Sequence, residues 1–140
     1  MPIDYPSTTI LFIDHHDDDR QYWVRRLRMS FPDYVVLEAS TGKIGLAICR
    51  SRRVECVISE LTLPDMSGFE VLLKLVPMPR HPEIAFIFLT RLTLAPMRQL
   101  ALNNGALAYV VKSHASGDVL DNTIHKALAS VGPTRKDPSS

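Results

Sequence analysis

Short apolar runs alternate with amphipathic segments through most of this chain. Five runs are brief and bounded by polar residues, as in strands that are buried on both faces of a parallel sheet. The predicted strands are residues 10–13, 34–37, 54–58, 84–89 and 108–111. The pattern therefore indicates a sheet with little solvent-facing surface.

The segments between the strands have the spacing of helices. Trp23, Val24 and Leu27 recur at helical intervals on one side of the first segment. Asp17 or Asp18 is predicted to cap this helix. The second helix is predicted to bury Ile44, and the last helix to span residues 118–130.

Five strand–helix units predict an α/β fold with a doubly wound, five-stranded parallel sheet and helices on both faces. One domain is expected over residues 9–131. Residues 1–8 are expected to form a flexible lead, and residues 132–140 a disordered tail or linker.

Composition mainly argues against certain classes of partner, namely nucleic acids and membranes. The chain has 140 residues and a formal net charge of +1, so it carries no strong field that would favour nucleic acid. Its longest apolar stretch, residues 84–89, is far shorter than the roughly 20 residues that cross a bilayer. No secretory signal precedes the first strand. We therefore expect a cytoplasmic protein with neither nucleic-acid nor membrane partners.

Polar residues follow four of the strands directly. They are Asp14 and His15 after the first strand, Glu60 after the third, Thr90 and Arg91 after the fourth, and Lys112 after the fifth. Chemistry in such folds sits at the carboxyl ends of the strands. We therefore expect these side chains to meet at one edge of the sheet.

This ordered set of acid, acid, hydroxyl and lysine resembles the response regulator receiver domain, the phosphorylatable, chemotaxis-regulator-like module of two-component signalling. The four matching motifs are Ile-Leu-Phe-Ile-Asp14, Glu60-Leu-Thr-Leu-Pro64-Asp-Met-Ser-Gly68, Phe-Leu-Thr90 and Gly105-Ala-Leu-Ala-Tyr109-Val-Val-Lys112. The resemblance covers about residues 9–131 and implies a flavodoxin-like strand order, 2-1-3-4-5.

The resemblance also implies a mechanism. In the family, two acids after strand one and an aspartate after strand three hold Mg²⁺, and that aspartate accepts the phosphoryl group. The hydroxyl and lysine bind the phosphoryl oxygens, and the strand-five aromatic turns inward. Glu60 stands here at the acceptor position, and its extra methylene moves the carboxylate oxygen away from where an aspartate would place it. A displacement near 1 Å of a reacting atom costs about 10²-fold in rate. The substitution predicts loss of phosphotransfer.

Three further departures affect the pocket. His15 stands at the second acid, Arg91 at a small residue, and Ser113 at the proline after the lysine. Imidazole suits Mg²⁺ poorly, so no cofactor is expected and Mg²⁺ is weak at best. Any ion would use Asp14, Glu60 and the Thr62 backbone.

The charged side chains of the pocket are expected to pair with one another. Lys112 is predicted to pair with Glu60 and Asp14, which would fix one conformation without phosphate or metal. Arg91 either covers the pocket, pairing with Glu60 or Asp65, or points into solvent.

By resemblance, protein partners bind a face made by the fourth helix, fifth strand and fifth helix. Its candidate residues are Met97, Arg98, Ala101, Tyr109 and Lys126. Tyr109 is alternatively a half-buried edge aromatic. The expected partners are a histidine kinase, a phosphotransfer protein, a downstream effector or, through the same face, a second copy.

Three functional hypotheses follow. The leading one is a non-enzymatic receiver that acts through protein contacts independently of phosphorylation. The second is an ordinary response regulator that uses Glu60 as acceptor. The third, a flavodoxin-like cofactor binder, is disfavoured because Asp14 and the acidic run 17–19 would repel a flavin phosphate.

Overall fold

A five-stranded parallel sheet forms the centre of the protein, for which the computed structural model describes residues 7–135. The strands are β1 (Thr9–Ile13), β2 (Val35–Ala39), β3 (Cys56–Ser59), β4 (Ala85–Thr90) and β5 (Ala108–Val111). Their order, β2-β1-β3-β4-β5, confirms the predicted doubly wound topology.

Helices cover both faces of this sheet. They are α1 (Asp17–Ser30), α2 (Gly42–Ser51), α3 (Gly68–Leu75), α4 (Ala95–Asn103) and α5 (Gly117–Arg135), with a 3-10 turn at Lys112–His114. Alternate strand residues point to opposite faces, so Ile10 and Phe12 pack with α1 and α5. Leu11 and Ile13 pack with α2, α3 and α4. The apolar runs are thus explained by burial on both sides.

Several predicted boundaries were wrong. The second, third and fourth strands begin and end one or two residues later than predicted, because the ladder pairs Ile13 with Ala39 and Ser59, and Thr90 with Val111. Residues 132–135 continue α5 and are not a tail. The remaining tail residues 136–140, and residues 1–6 of the predicted lead, lie outside the described residues.

Two predicted details of the helices also need correction. Neither Asp17 nor Asp18 caps α1, because His16 occupies the N-cap position. Both acids lie in the first turn, where their negative charge interacts favourably with the helix dipole. Ile44 is exposed on α2. The buried side of α2 instead carries Gly45 and Leu46, because the small glycine lets the helix approach β1 closely.

Two glycines are required by the backbone around the sheet edge. Gly105 follows the end of α4 and has a φ of 104°, a backbone conformation that glycine adopts readily. Gly68 begins α3, and its N–H donates a hydrogen bond to the Leu61 carbonyl at 2.7 Å. A β-carbon at Gly68 would lie 2.5 Å from the Glu60 carbonyl oxygen and 2.8 Å from Phe88 Cε1. This close approach fixes the loop that follows Glu60.

No helix among residues 7–135 combines the length and the apolar character needed to cross a membrane.

We expect Gly68→Ala to lower the free energy of unfolding by about 1–3 kcal/mol, because backbone atoms cannot move away from the added methyl group. Gly117→Ala is the matched control, since Gly117 also begins a helix but a β-carbon there meets only the end of the Arg26 side chain. Urea unfolding followed by the fluorescence of Trp23 measures both. Equal losses in the two variants would show that the close approach at Gly68 is unimportant.

Candidate functional site

Three of the polar residues that follow the strands meet at the carboxyl edge of the sheet: Asp14, Glu60 and Lys112. Lys112 Nζ lies 2.7 Å from Asp14 Oδ2 and 2.8 Å from Glu60 Oε2. Asp14, Glu60 and Thr90 are buried, and the Lys112 side chain is only 8% exposed. The predicted pairing of Lys112 with both acids is therefore present.

A third carboxylate, which the sequence interpretation missed, completes this cluster. Asp19 in the first turn of α1 accepts a hydrogen bond from Lys112 Nζ at 2.8 Å. The available signal was its spacing, since Asp19 lies four residues before the buried Trp23 and eight before Leu27. It therefore continues the inward stripe of α1, whereas Asp17 and Asp18 point outward.

Lys112 remains firmly protonated in this setting. Burial by itself lowers the pKa of the ammonium, but the hydrogen bonds with Asp14 and Asp19 and the ion pair with Glu60 outweigh it and hold the pKa above its usual value. The cluster thus keeps a positive charge at its centre.

Glu60 is held in a constrained orientation. Its Oε1 accepts a hydrogen bond from the Leu61 N–H at 2.8 Å. Its Oε2 is buried and receives no hydrogen bond from any described residue. The contact of Oε2 with Lys112 at 2.8 Å is an ion pair without hydrogen-bond geometry. Both oxygens therefore face protein rather than solvent.

The histidine nearest the cluster is His16, not His15. His15 is exposed, and its ring lies against the His16 ring. The His16 backbone N–H donates to Asp14 Oδ1 at 2.9 Å, and its Nδ1 lies 3.2 Å from the same oxygen. His15, at the position where the family pattern has its second acid, is thus directed outward by the turn after β1 and does not join the Lys112 cluster.

Arg91 pairs with neither Glu60 nor Asp65. Its Nη2 and Nε donate to Asp19 Oδ2 at 2.8 and 3.2 Å, although the side chain is 59% exposed. Burial raises the pKa of Asp19, but the hydrogen bonds from Lys112 and Arg91 outweigh it and keep the pKa below its usual value. Asp65 instead accepts from the Gly42 and Lys43 N–H groups at 2.9 Å, at the start of α2.

The donor set does not fit Mg²⁺. Among the described residues, the ligand atoms of Asp14, His16 and Asp19 come within 4.8 Å of one another. One of these three is an imidazole, and both carboxylates already bond to Lys112. Because Mg²⁺ requires near-octahedral oxygen ligands, this mixture of an imidazole and ammonium-bound carboxylates suits it poorly.

Tyr109 points into the protein rather than lying half-buried at the edge. It is 4% exposed, and its ring centre lies 6.1 Å from that of Phe88. Its hydroxyl donates to the Leu92 carbonyl at 3.0 Å, while the Leu92 N–H donates to Thr90 Oγ1 at 3.3 Å. Burial and the charge of Glu60 raise the pKa of Tyr109.

The predicted partner face is only partly at the surface. Arg98 and Lys126 are exposed and Met97 is half-buried, but Ala101 and Tyr109 are buried and cannot contact a partner directly. Ala101 packs α4 onto the sheet, so its small size serves the core. The sequence interpretation missed the exposed leucines of this region, which are Leu92, Leu94, Leu100 and Leu102.

Ser113 lies in the 3-10 turn, and the peptide bond that joins it to Lys112 is trans.

A model of the response regulator receiver domain matches residues 10–124 of this chain. The chain is similar to a protein named "Probable cyclic di-GMP phosphodiesterase" from Vibrio cholerae, with 30% identity over 89% of this chain and 27% of the relative. It is 27% identical to the transcriptional regulatory protein SrrA of Staphylococcus aureus, over 81% of this chain and 45% of the relative. The chain therefore spans less than half the length of these relatives.

Solved structures resemble the fold over nearly its whole extent. A CheY-like receiver domain protein from Methanospirillum hungatei is 26% identical with a TM-score of 0.78, over 92% of this chain and 99% of that one. The signal receiver domain of an HD domain-containing protein from Pseudomonas fluorescens superposes with a TM-score of 0.80 at 24% identity, over 97% of both chains. Together with the family match over most of its length, these findings show that the chain belongs to the response regulator receiver domain family.

Proposed function

We propose that this receiver acts as a signalling module through protein contacts and without phosphotransfer at Glu60. The observation that carries the proposal is the environment of Lys112, whose Nζ lies within 2.8 Å of Asp14, Asp19 and Glu60. By family resemblance, this lysine would bind phosphoryl oxygens. Here three carboxylates of the chain itself already surround it.

The orientation of Glu60 also argues against phosphotransfer. A carboxylate nucleophile must present an oxygen to the phosphoryl donor. Oε1 is held by the Leu61 N–H, and the buried Oε2 lies against Lys112. Reaction would require the side chain to leave both contacts, in addition to the displacement that its extra methylene introduces.

The position of Tyr109 supports a conformation that is set internally. In the receiver family, the aromatic residue of strand five turns inward once the domain carries phosphate. Tyr109 is already buried here, with its hydroxyl bonded to the Leu92 carbonyl. The ion pairs of the cluster therefore take the place of a phosphoryl group in stabilising this arrangement.

The partner in this proposal is a protein: a histidine kinase, a phosphotransfer protein, an effector or a second copy. Arg98 and Lys126 are the exposed cations of the proposed face, and the exposed leucines of the α4 region add apolar surface. Such a mixture of apolar and cationic side chains suits a protein contact. The role is one of binding, and no catalytic step is assigned to the chain.

Incubation with acetyl phosphate and Mg²⁺ tests the loss of phosphotransfer. We expect the intact mass of the protein to stay unchanged, because Glu60 is buried and paired. A receiver with an aspartate acceptor, treated in parallel, shows that the donor is active. The alternative, phosphotransfer to Glu60, predicts a phosphate adduct in the wild type that disappears in Glu60→Gln, and that result would overturn the proposal.

Lys112→Met should lower the free energy of unfolding by about 3–5 kcal/mol, because it leaves clustered carboxylates without their buried cation. Lys126→Met is the control, since Lys126 is exposed on α5 and its loss should change stability by at most about 0.5 kcal/mol. Adding Glu60→Gln to Lys112→Met should recover part of the loss by removing one negative charge. Urea unfolding measures all three, and near-equal stability of the two lysine variants would contradict the central role of Lys112.

A further inference from the structure

A second ion pair, between Arg91 and Asp19, lies on the exposed side, or mouth, of the Lys112 cluster. Arg91 lies in the loop between β4 and α4, and Asp19 lies in α1, 72 positions away in sequence. Their contact consists of two hydrogen bonds to one oxygen, Asp19 Oδ2, at 2.8 Å from Nη2 and 3.2 Å from Nε. The bridge therefore joins the β4–α4 loop to the first turn of α1.

The same oxygen of Asp19 also accepts from Lys112 Nζ at 2.8 Å. One carboxylate thus links a buried ammonium, 8% exposed, to a guanidinium that is 59% exposed. Salt screens exposed charges far more than buried ones. Salt should therefore weaken the contact between Arg91 and Asp19 at concentrations that leave the contact between Lys112 and Asp19 intact.

The bridge is continuous with the contacts that hold Tyr109. Arg91 is followed directly by Leu92, whose N–H donates to Thr90 Oγ1 and whose carbonyl accepts from the Tyr109 hydroxyl. A shift of Arg91 would pull on both of these bonds. The position of the loop and the burial of Tyr109 are thereby connected to the charge of Asp19.

We propose that Asp19 and Arg91 form a latch that closes the mouth of the pocket and holds the β4–α4 loop against Tyr109. The inference rests on the proposed function and concerns the regulation of that same site. Asp19 is the positioning residue, because its Oδ2 accepts hydrogen bonds from both Lys112 and Arg91. Loss of its charge releases the loop while the Lys112 contacts with Asp14 and Glu60 remain.

Amide hydrogen exchange at Leu92 tests the latch. Asp19→Asn should raise the exchange rate of the Leu92 N–H by about two- to fivefold, the range expected for one partly exposed ion pair. Asp17→Asn is the matched control, because Asp17 lies in the same helical turn, is 73% exposed and pairs with Arg20 instead. It should leave the rate at Leu92 unchanged. Equal rates in the two variants would overturn the proposal.

Arg91→Gln provides an independent arm, since it alters an exposed side chain and leaves the buried cluster intact. It should reproduce the effect of Asp19→Asn at Leu92, and the double variant should exchange no faster than either single one. Additive effects would show that the two residues act separately and would overturn the latch. No phosphoryl donor is present in these samples, so failure of the latch and failure of the proposed function remain distinguishable.

Discussion

The structure depends on one buried ammonium group, Lys112 Nζ, and on the carboxylates that surround it. Burying a charge is costly unless it is paired, and a buried cluster of like charges is worse. Asp14, Asp19 and Glu60 together carry three negative charges, and Lys112 and Arg91 supply two positive ones. Removal of Lys112 would leave Asp14 and Glu60 facing each other without a cation, in a region with little access to water.

The order of the strands makes this cluster geometrically accessible. β1 and β3 are neighbours at the centre of the sheet, so Asp14 and Glu60 end side by side. β5 lies two strands from β3, and only a long side chain such as lysine reaches across the end of β4 from there. Thr90 ends β4 with a short side chain that leaves this path open. The parallel topology thus selects both the types and the lengths of the residues.

Members of a family keep a fold while the chemistry of the site changes, because core packing and pocket chemistry use different residues. The two apolar clusters on the faces of the sheet here involve none of the charged residues at its edge. The side chains of His15, Glu60 and Arg91 are therefore not part of the packing that holds the helices on the sheet. Asp19 adds from α1 a third carboxylate beside Asp14 and Glu60, and its Oδ2 accepts hydrogen bonds from Lys112 and Arg91.

The sequence by itself determined the five strands, their doubly wound arrangement, the polar residues at their ends and the pairing of Lys112 with Asp14 and Glu60. The strands follow from periodicity, and the meeting of the polar residues follows from the rule that parallel strands end at one edge. The pairing of Lys112 was expected from the resemblance to the receiver family. Only the tertiary structure decided that His16 rather than His15 faces Asp14, that Arg91 meets Asp19 and that Tyr109 is buried. Those contacts join a helix turn or a loop to the sheet, and their geometry is set by how the elements pack, which local sequence patterns do not encode.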